Sequence, residues 1–542
     1  MLGDRNSSGI SRRVFITGAA GAALTAWKPS GLLRAFGGAA GPIVKTANGT
    51  VQGAVDHAGM LVFKGVPYAG PTGGDNRFRP PAAVLPSTGV RDATAFGPIC
   101  PQNDDDKMGM YAAFRQDEDC LNLNIWTPAA DNAKRPVLVF MHGGGFSTGT
   151  GGSSLYEGSS LAKSQDIVVV TINYRLGILG WPPFQIYGPE VTNNLGLADC
   201  IAALKWIREN IGAFGGDPHN VTQSGQSAGA MLSAALGTVA QAKGLFDRAV
   251  PISMQTLVAS DPERQARNTS KVLSQLGLPS SDLAKLKSLP VADLLKAQKT
   301  VRDAGVAAPA MADQLRWPFM FNIDGVFFKE DPCDVIKHGG YADVPTMIGS
   351  TTEELVIVPV QINANPTAKA RAMKAMALPA LKAEVGAERA QKIWDAYAAE
   401  MPNAPETEIS GMIGTDWSYR VPAIRIAEAE AKHDRAWMYA FAYQGKGPYF
   451  TNAHHALDLP FWFGTLVYPK AAALFLGHDA NEKELELSNA MQRALGSFAR
   501  NGRPDWPAYN LKSRETMIFN LASKVASNPR SDARKLWDGI VA

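Results

Sequence analysis

The tightest constraint on this chain is a pair of short apolar runs, Val137-Leu138-Val139-Phe140 and Ile167-Val168-Val169-Val170-Thr171-Ile172. A strand with one wet face alternates apolar and polar residues. A run without alternation needs cover on both faces, the condition of a central strand in a parallel sheet wrapped by helices. Shorter alternating stretches at 50–55 and 60–63, either side of the turn Asp56-His57-Ala58-Gly59, predict an antiparallel edge. Between the strands lie helical patterns. One covers 196–211, with Leu197, Ile201, Leu204, Ile207 and Ile211 on a single stripe; another covers 482–500. Further strands are predicted at 221–224, 249–253, 344–348 and 437–441. This order predicts an α/β fold: a central, mostly parallel sheet flanked by helices. Two stretches, about 257–345 and 356–415, are richer in Ala, Lys, Glu and Pro with helical periodicity. They predict large helical insertions over the strand ends, so residues 41–542 read as one domain.

The first 40 residues have a different character. Arg5, Arg12, Arg13, Lys28 and Arg34 stand against Asp4 alone, a surplus of 4 positive charges that turns a formal net charge of +3 into a body near −1. A nearly neutral body has no electrostatic footprint for nucleic acid, and the partner expected is a small molecule. Arg12-Arg13 precede a short apolar stretch at 16–27, the pattern of a twin-arginine export signal, with small residues near Ala40 for cleavage. That stretch falls short of the roughly 20 residues needed to span a bilayer. A periplasmic or secreted protein without a stable membrane span is therefore expected. Four cysteines occur, at 100, 120, 200 and 333, none with metal-type spacing. Cys200 lies within the helical stripe and reads as a buried thiol.

Gly225-Gln226-Ser227-Ala228-Gly229 has the form G-x-S-x-G. The pattern alone is weak. Its setting strengthens it, because a strand leads in and an Ala-rich helix leads out, and flanking glycines allow a strained turn that presents Ser227 Oγ at a helix N-terminus. Upstream, the strand ending at Phe140 runs into His142-Gly143-Gly144-Gly145-Phe146. Consecutive glycines let backbone N–H groups turn inward around a developing oxyanion, so Gly144 and Gly145, with Ala228, are the candidate donors. A serine hydroxyl needs a base and an orienting acid, expected in the order Ser, acid, His. Of eight histidines, His57, His219, His338, His433 and His478 lie in turn-like or charged surroundings, and His142 belongs to the glycine motif. The pair His454-His455 remains, ahead of an aromatic stretch. For the acid, Glu353-Glu354 follow the predicted strand at 344–348. Spacing does not choose within either pair.

The chain resembles the type-B carboxylesterase family, which includes the cholinesterases. The residues that carry the resemblance are Phe63-Lys64-Gly65-Val66-Pro67-Tyr68-Ala69, Arg77-Phe78-Arg79-Pro80-Pro81, Glu118-Asp119-Cys120-Leu121-Asn122-Leu123-Asn124, the triple glycine, Asn173-Tyr174-Arg175-Leu176-Gly177, Ala213-Phe214-Gly215-Gly216-Asp217-Pro218 and the Ser227 turn. The match covers nearly all of the chain after the signal, as for an exported bacterial member. It implies an α/β-hydrolase fold and a serine carboxylesterase that works through an acyl-enzyme without metal or organic cofactor. The family's acid follows a glycine by five positions, which is Gly349 to Glu354; its histidine precedes an acidic residue by three, which is His455 to Asp458. A bridge between Cys100 and Cys120 is implied likewise, and so is a supporting role for Ser253 behind the acid.

One position departs. Members commonly carry Glu immediately before the nucleophile, where this chain has the neutral Gln226. A missing carboxylate removes an attraction for quaternary ammonium groups, so choline esters are not expected to be preferred. The same site also suits carbamates, amides or polyesters. A non-catalytic binding protein is the rival from another class, and the complete set of Ser227, Glu354 and His455 speaks against it. Phe146, Trp181, Trp417 and Trp462 are candidate pocket walls, with core packing the competing reading.

Overall fold

The computed structural model describes residues 39–103, 111, 113–279, 282–306, 318–356, 378–379, 381–447 and 451–540. The twin-arginine segment, predicted at 1–40, lies outside them up to residue 38.

Thirteen strands form one sheet. In chain order they are β1 (Ala39–Thr46), β2 (Gly49–Val55), β3 (Leu61–Pro67), β4 (Val90–Asp92), β5 (Asn122–Thr127), β6 (Arg135–Met141), β7 (Val168–Ile172), β8 (Gly216–Gln226), β9 (Arg248–Ile252), β10 (Thr346–Thr351), β11 (Ala436–Phe441), β12 (Glu515–Phe519) and β13 (Lys524–Ser527). Across the sheet the order is β1-β2-β3-β5-β7-β6-β8-β9-β10-β11-β12-β13, with β4 beside β2. From β7 and β6 through β8, β9, β10 and β11 to β12 the strands run parallel, while β1, β2, β3 and β5 at one end and β13 at the other pair antiparallel, and β4 lies parallel to β2.

The unalternating runs have the cause the sequence suggests. In β6, Val137, Val139 and Met141 enter one core cluster while Leu138 and Phe140 enter the other, on the opposite face. In β7, Val168, Val170 and Ile172 face one cluster and Val169 the other. The first face is covered by α1 (Leu195–Asn210), whose stripe Leu197, Ile201, Leu204 and Ile207 is buried, and by α2 (Ala228–Leu236). In the stretch predicted as the first insertion lie α3 (Pro262–Leu276) and α4 (Val291–Val306); in the second lie α5 (Ala387–Glu400) and α6 (Glu406–Thr415). α7 (Val421–Glu430) follows. On the other face sits α8 (Glu482–Asn501), started by a capping box in which Asn481 and Glu484 satisfy each other's backbone N–H groups, and stopped by Gly502.

Cys100 and Cys120, the pair for which a bridge is implied, are buried thiols in hydrogen-bonding contact with each other. Cys200 and Cys333 are buried thiols too, and burial pushes Cys333 up to about 12.

Candidate active site

Ser227 joins β8 to α2 with φ 57° and ψ −122°, a backbone region that costs a residue with a side chain about 1–3 kcal/mol. Two glycines make so sharp a turn possible. A Cβ on Gly229 would lie 2.0 Å from the Met141 carbonyl oxygen, and one on Gly225 would lie 2.2 Å from that of Gly229. Their absence lets the start of α2 press against the end of β6, and Ser227 stays half-buried rather than enclosed.

Beyond β6, His142 is buried with its ring stacked on Tyr174, centroids 4.5 Å apart. Burial pushes the imidazole down to about 4, so it is neutral, and its Nδ1–H donates to the Gly143 carbonyl at 2.7 Å. The glycines after it adopt φ 116° at Gly144 and 59° at Gly145. A Cβ at Gly144 would lie 2.1 Å from the Thr148 carbonyl oxygen. Among the described residues, the N–H groups of Gly144, Gly145 and Ala228 donate to no protein acceptor. Three backbone donors are thus left free beside Ser227.

Both ambiguous pairs separate in the structure. Glu354 is 1% exposed, accepts from the Thr351 N–H at 2.8 Å through Oε1, and meets Nδ1 of His455 with Oε2. Glu353 serves a different purpose: its Oε2 accepts from the Ala453 N–H at 2.7 Å and from Gln444 Nε2 at 2.9 Å, tying the acid loop to the segment that leads to His455. His454 turns its Nδ1 to the His455 carbonyl. The histidines at 57, 219, 338, 433 and 478 are exposed.

The other ring nitrogen of His455 does not meet Ser227. Its Nε2 lies 3.0 Å from Nε2 of Gln226, and Ser227 Oγ makes no hydrogen bond among the described residues. Ser253 also departs from its expected role. Its Oγ is fully buried without a partner among the described residues, and the acid is held by Thr351 instead.

Tyr419 carries no mark in the sequence that sets it apart, yet its ring sits 5.1 Å from that of His455. It lies in a π-helical turn, Asp416–Arg420, between α6 and α7. Pro422 has no N–H to give to Ser418, and the freed Ser418 carbonyl accepts from Thr256 N–H at 2.8 Å. The Tyr419 hydroxyl accepts from Gln255 Nε2 at 2.7 Å. A proline one turn downstream of an aromatic residue is thus the available signal. The four aromatic residues singled out in the sequence are all core. Phe146 and Trp181 pack edge-on with Phe321, Trp417 packs with Trp537, and Trp462 packs with Tyr439.

Asp458 is fully buried behind His455, accepting from Trp462 Nε1 at 3.2 Å. Burial, reinforced by the charge of Glu354, pushes its carboxyl up to about 7. An unfolded Asp titrates near 3.9, so the native state holds this proton more tightly, and the stability it confers at low pH is lost as pH rises from about 4 to 7. Asp458→Asn should flatten that slope by a few kcal/mol, about 4 at most, in denaturant midpoints followed across the window. Equal slopes in the two proteins would show that Asp458 ionises freely.

Residues 40–537 match the model of the carboxylesterase family. The chain is 37% identical over 511 residues to the para-nitrobenzyl esterase of Bacillus subtilis, covering 91% of this chain and 98% of that protein. It is 31% identical over 503 residues to an acylcarnitine hydrolase of Mus musculus, covering 86% of each. Among solved structures, a thermophilic PNB esterase superposes with TM-score 0.79 at 35% identity, and a Geobacillus stearothermophilus carboxylesterase with 0.78 at 32%, each over 91% of this chain and 99% of the other. The parallel sheet, the turn at Ser227 and a match spanning nearly the whole chain agree, and the chain belongs to the carboxylesterase family as a carboxylic ester hydrolase with the α/β-hydrolase fold.

Proposed function

We propose that Ser227 is the nucleophile, His455 the general base and Glu354 the acid that orients it, with Gly144, Gly145 and Ala228 N–H groups as the oxyanion hole, in the hydrolysis of esters of uncharged alcohols. His455 takes the Ser227 proton as the hydroxyl attacks the ester carbonyl, and the freed donors stabilise the oxyanion. The imidazolium returns that proton to the departing alcohol. Water, activated by the same imidazole, then releases the acid and regenerates Ser227. What supports this most is one imidazole that spans two loops: its Nδ1 meets the carboxylate of Glu354, and its Nε2 faces the residue beside Ser227.

An organophosphonate label and a small substrate panel test it. The label is expected on the peptide containing Ser227, and stoichiometric label elsewhere overturns the assignment. Neutral aryl and alkyl esters should turn over faster than matched amides. A choline ester should gain no advantage over a neutral ester of equal size; a preference of about tenfold or more, worth about 1.4 kcal/mol, counts against an uncharged alcohol site.

Export through the twin-arginine pathway, to the periplasm or beyond, is part of the proposal. It is supported by Arg12-Arg13 ahead of the apolar stretch and by a family match that begins at residue 40. An oxidising compartment would convert the contacting thiols of Cys100 and Cys120 to a disulfide. The intact mass of exported protein, alkylated without reduction, reads both: a chain starting near Ala40 with two alkylated cysteines is expected. A full-length chain with four alkylated cysteines rejects both.

A further inference from the structure

An imidazole that donates its Nδ1–H to a carboxylate keeps one lone pair, on Nε2. In a serine esterase that lone pair is where the nucleophile's proton goes. In this chain it is engaged by a different group. Nε2 of His455 stands at hydrogen-bond distance, 3.0 Å, from the side-chain nitrogen of Gln226, while the Ser227 hydroxyl is unengaged among the described residues. The chemistry is self-consistent, because the NH₂ of a neutral amide donates and the free lone pair accepts. A carboxylate at the same position only accepts and makes no such bond to a neutral ring.

The fit of the amide is as specific as its bond. A Cβ on Gly143 would lie 2.5 Å from Gln226 Oε1 and 3.1 Å from Ser227 Cβ. The amide therefore occupies the space between the glycine loop and the base, and the missing side chain at 143 is what leaves it room.

We infer that Gln226 is a positioning residue that latches the resting base: its amide holds Nε2 of His455, and the Ser227 hydroxyl takes that lone pair only when the amide swings away. This rests on the reading of Ser227 and His455 as nucleophile and base. The free enzyme then divides between a latched form and an armed form, and only the armed form is acylated. Once His455 has taken the Ser227 proton, its Nε2–H offers the NH₂ group no acceptor, so the amide stays swung away and the proton is left to the departing alcohol. The latch thus favours the neutral base at rest and stays open while the base is charged.

The groups facing His455 are Glu354 from the acid loop, Asp458 from its own turn, the neighbouring His454, and the Tyr419 ring from the π-helical turn. None of them changes in the variants below, so a difference reports residue 226.

The test is the second-order rate of inactivation by a small organophosphonate, measured from about pH 5 to 9, which reports ionisation in the free enzyme. Q226M keeps the length of the side chain without a donor. With one hydrogen bond removed it should react about fivefold faster on the plateau. Its acid limb should move up by about 0.7 of a pH unit, because the same factor of five holds the neutral base. Q226E should move the limb up by about one unit, since a carboxylate there favours the charged ring. The plateau decides: a Q226M rate at or below that of the wild type overturns the latch, whereas damaged packing lowers the rate and does not raise it. Q226L, also without a donor, repeats the measurement should Q226M fail to fold. Wild-type protein that takes no label at Ser227 sinks the nucleophile assignment instead, without reference to residue 226.

Discussion

Ser227→Ala is expected to lower kcat for a simple ester by about 10⁶-fold while leaving the fold intact. No other hydroxyl is placed at the turn between β8 and α2, and the three free backbone donors retain only their share of transition-state stabilisation. Stability gives an independent reading of the same turn. With φ 57° and ψ −122°, the backbone at 227 strains alanine as much as serine, so Ser227→Ala should melt close to the wild type. Ser227→Gly has no Cβ to strain. After the extra chain entropy of glycine it should gain about 1 kcal/mol and melt above both, though equally inactive. Steady-state kinetics and thermal unfolding of the pair check this. Wild-type-like turnover in Ser227→Ala would remove the nucleophile. A glycine variant melting below the alanine one would mean that the turn carries no strain.

The parts of this site that follow from local backbone chemistry are legible in the sequence. The turn at Ser227 is one, since glycines at 225 and 229 are required by contacts of 2.2 and 2.0 Å that no side chain tolerates. The sheet is another: strands with both faces covered leave unalternating apolar runs, and those of β6 and β7 divide their residues between two cores. Less legible is anything decided by where a loop turns. Glu353 and Glu354 are adjacent, and so are His454 and His455; rotation about a few bonds selects one of each, and only the resemblance to known esterases favoured 354 and 455. The aromatic residues show the opposite failure. Phe146, Trp181 and Trp462 stand near site motifs along the chain yet fill the core, whereas Tyr419 reaches His455 because a proline three residues on reshapes its helix. Gln226 was readable as a missing charge. Its bond to the base was not, because that depends on a side-chain rotation inside a space opened by Gly143.

The two adjacent glutamates give the second large prediction. Glu354→Gln is expected to cut kcat by about 10⁴-fold with little change in fold. The reason is the direction of one proton. Oε1 of Glu354 accepts from the Thr351 N–H at 2.8 Å, and a glutamine that keeps this bond turns its NH₂ toward Nδ1 of His455. A donor there requires the ring to present a lone pair on Nδ1, which moves the ring proton to Nε2, the nitrogen that must take the proton of Ser227. The base is then present, in place and in the wrong tautomer. Glu353→Gln should behave otherwise. Its Oε2 accepts two N–H donors, from Ala453 at 2.7 Å and Gln444 at 2.9 Å, and a glutamine oxygen still accepts at least one. A loss of tenfold or less is expected, because two weakened neutral bonds only loosen the segment before His455. Measuring kcat for both variants beside their melting temperatures separates the roles. Equal losses in the two would mean that the carboxylates act together, and the larger loss in Glu353→Gln would reverse the assignment.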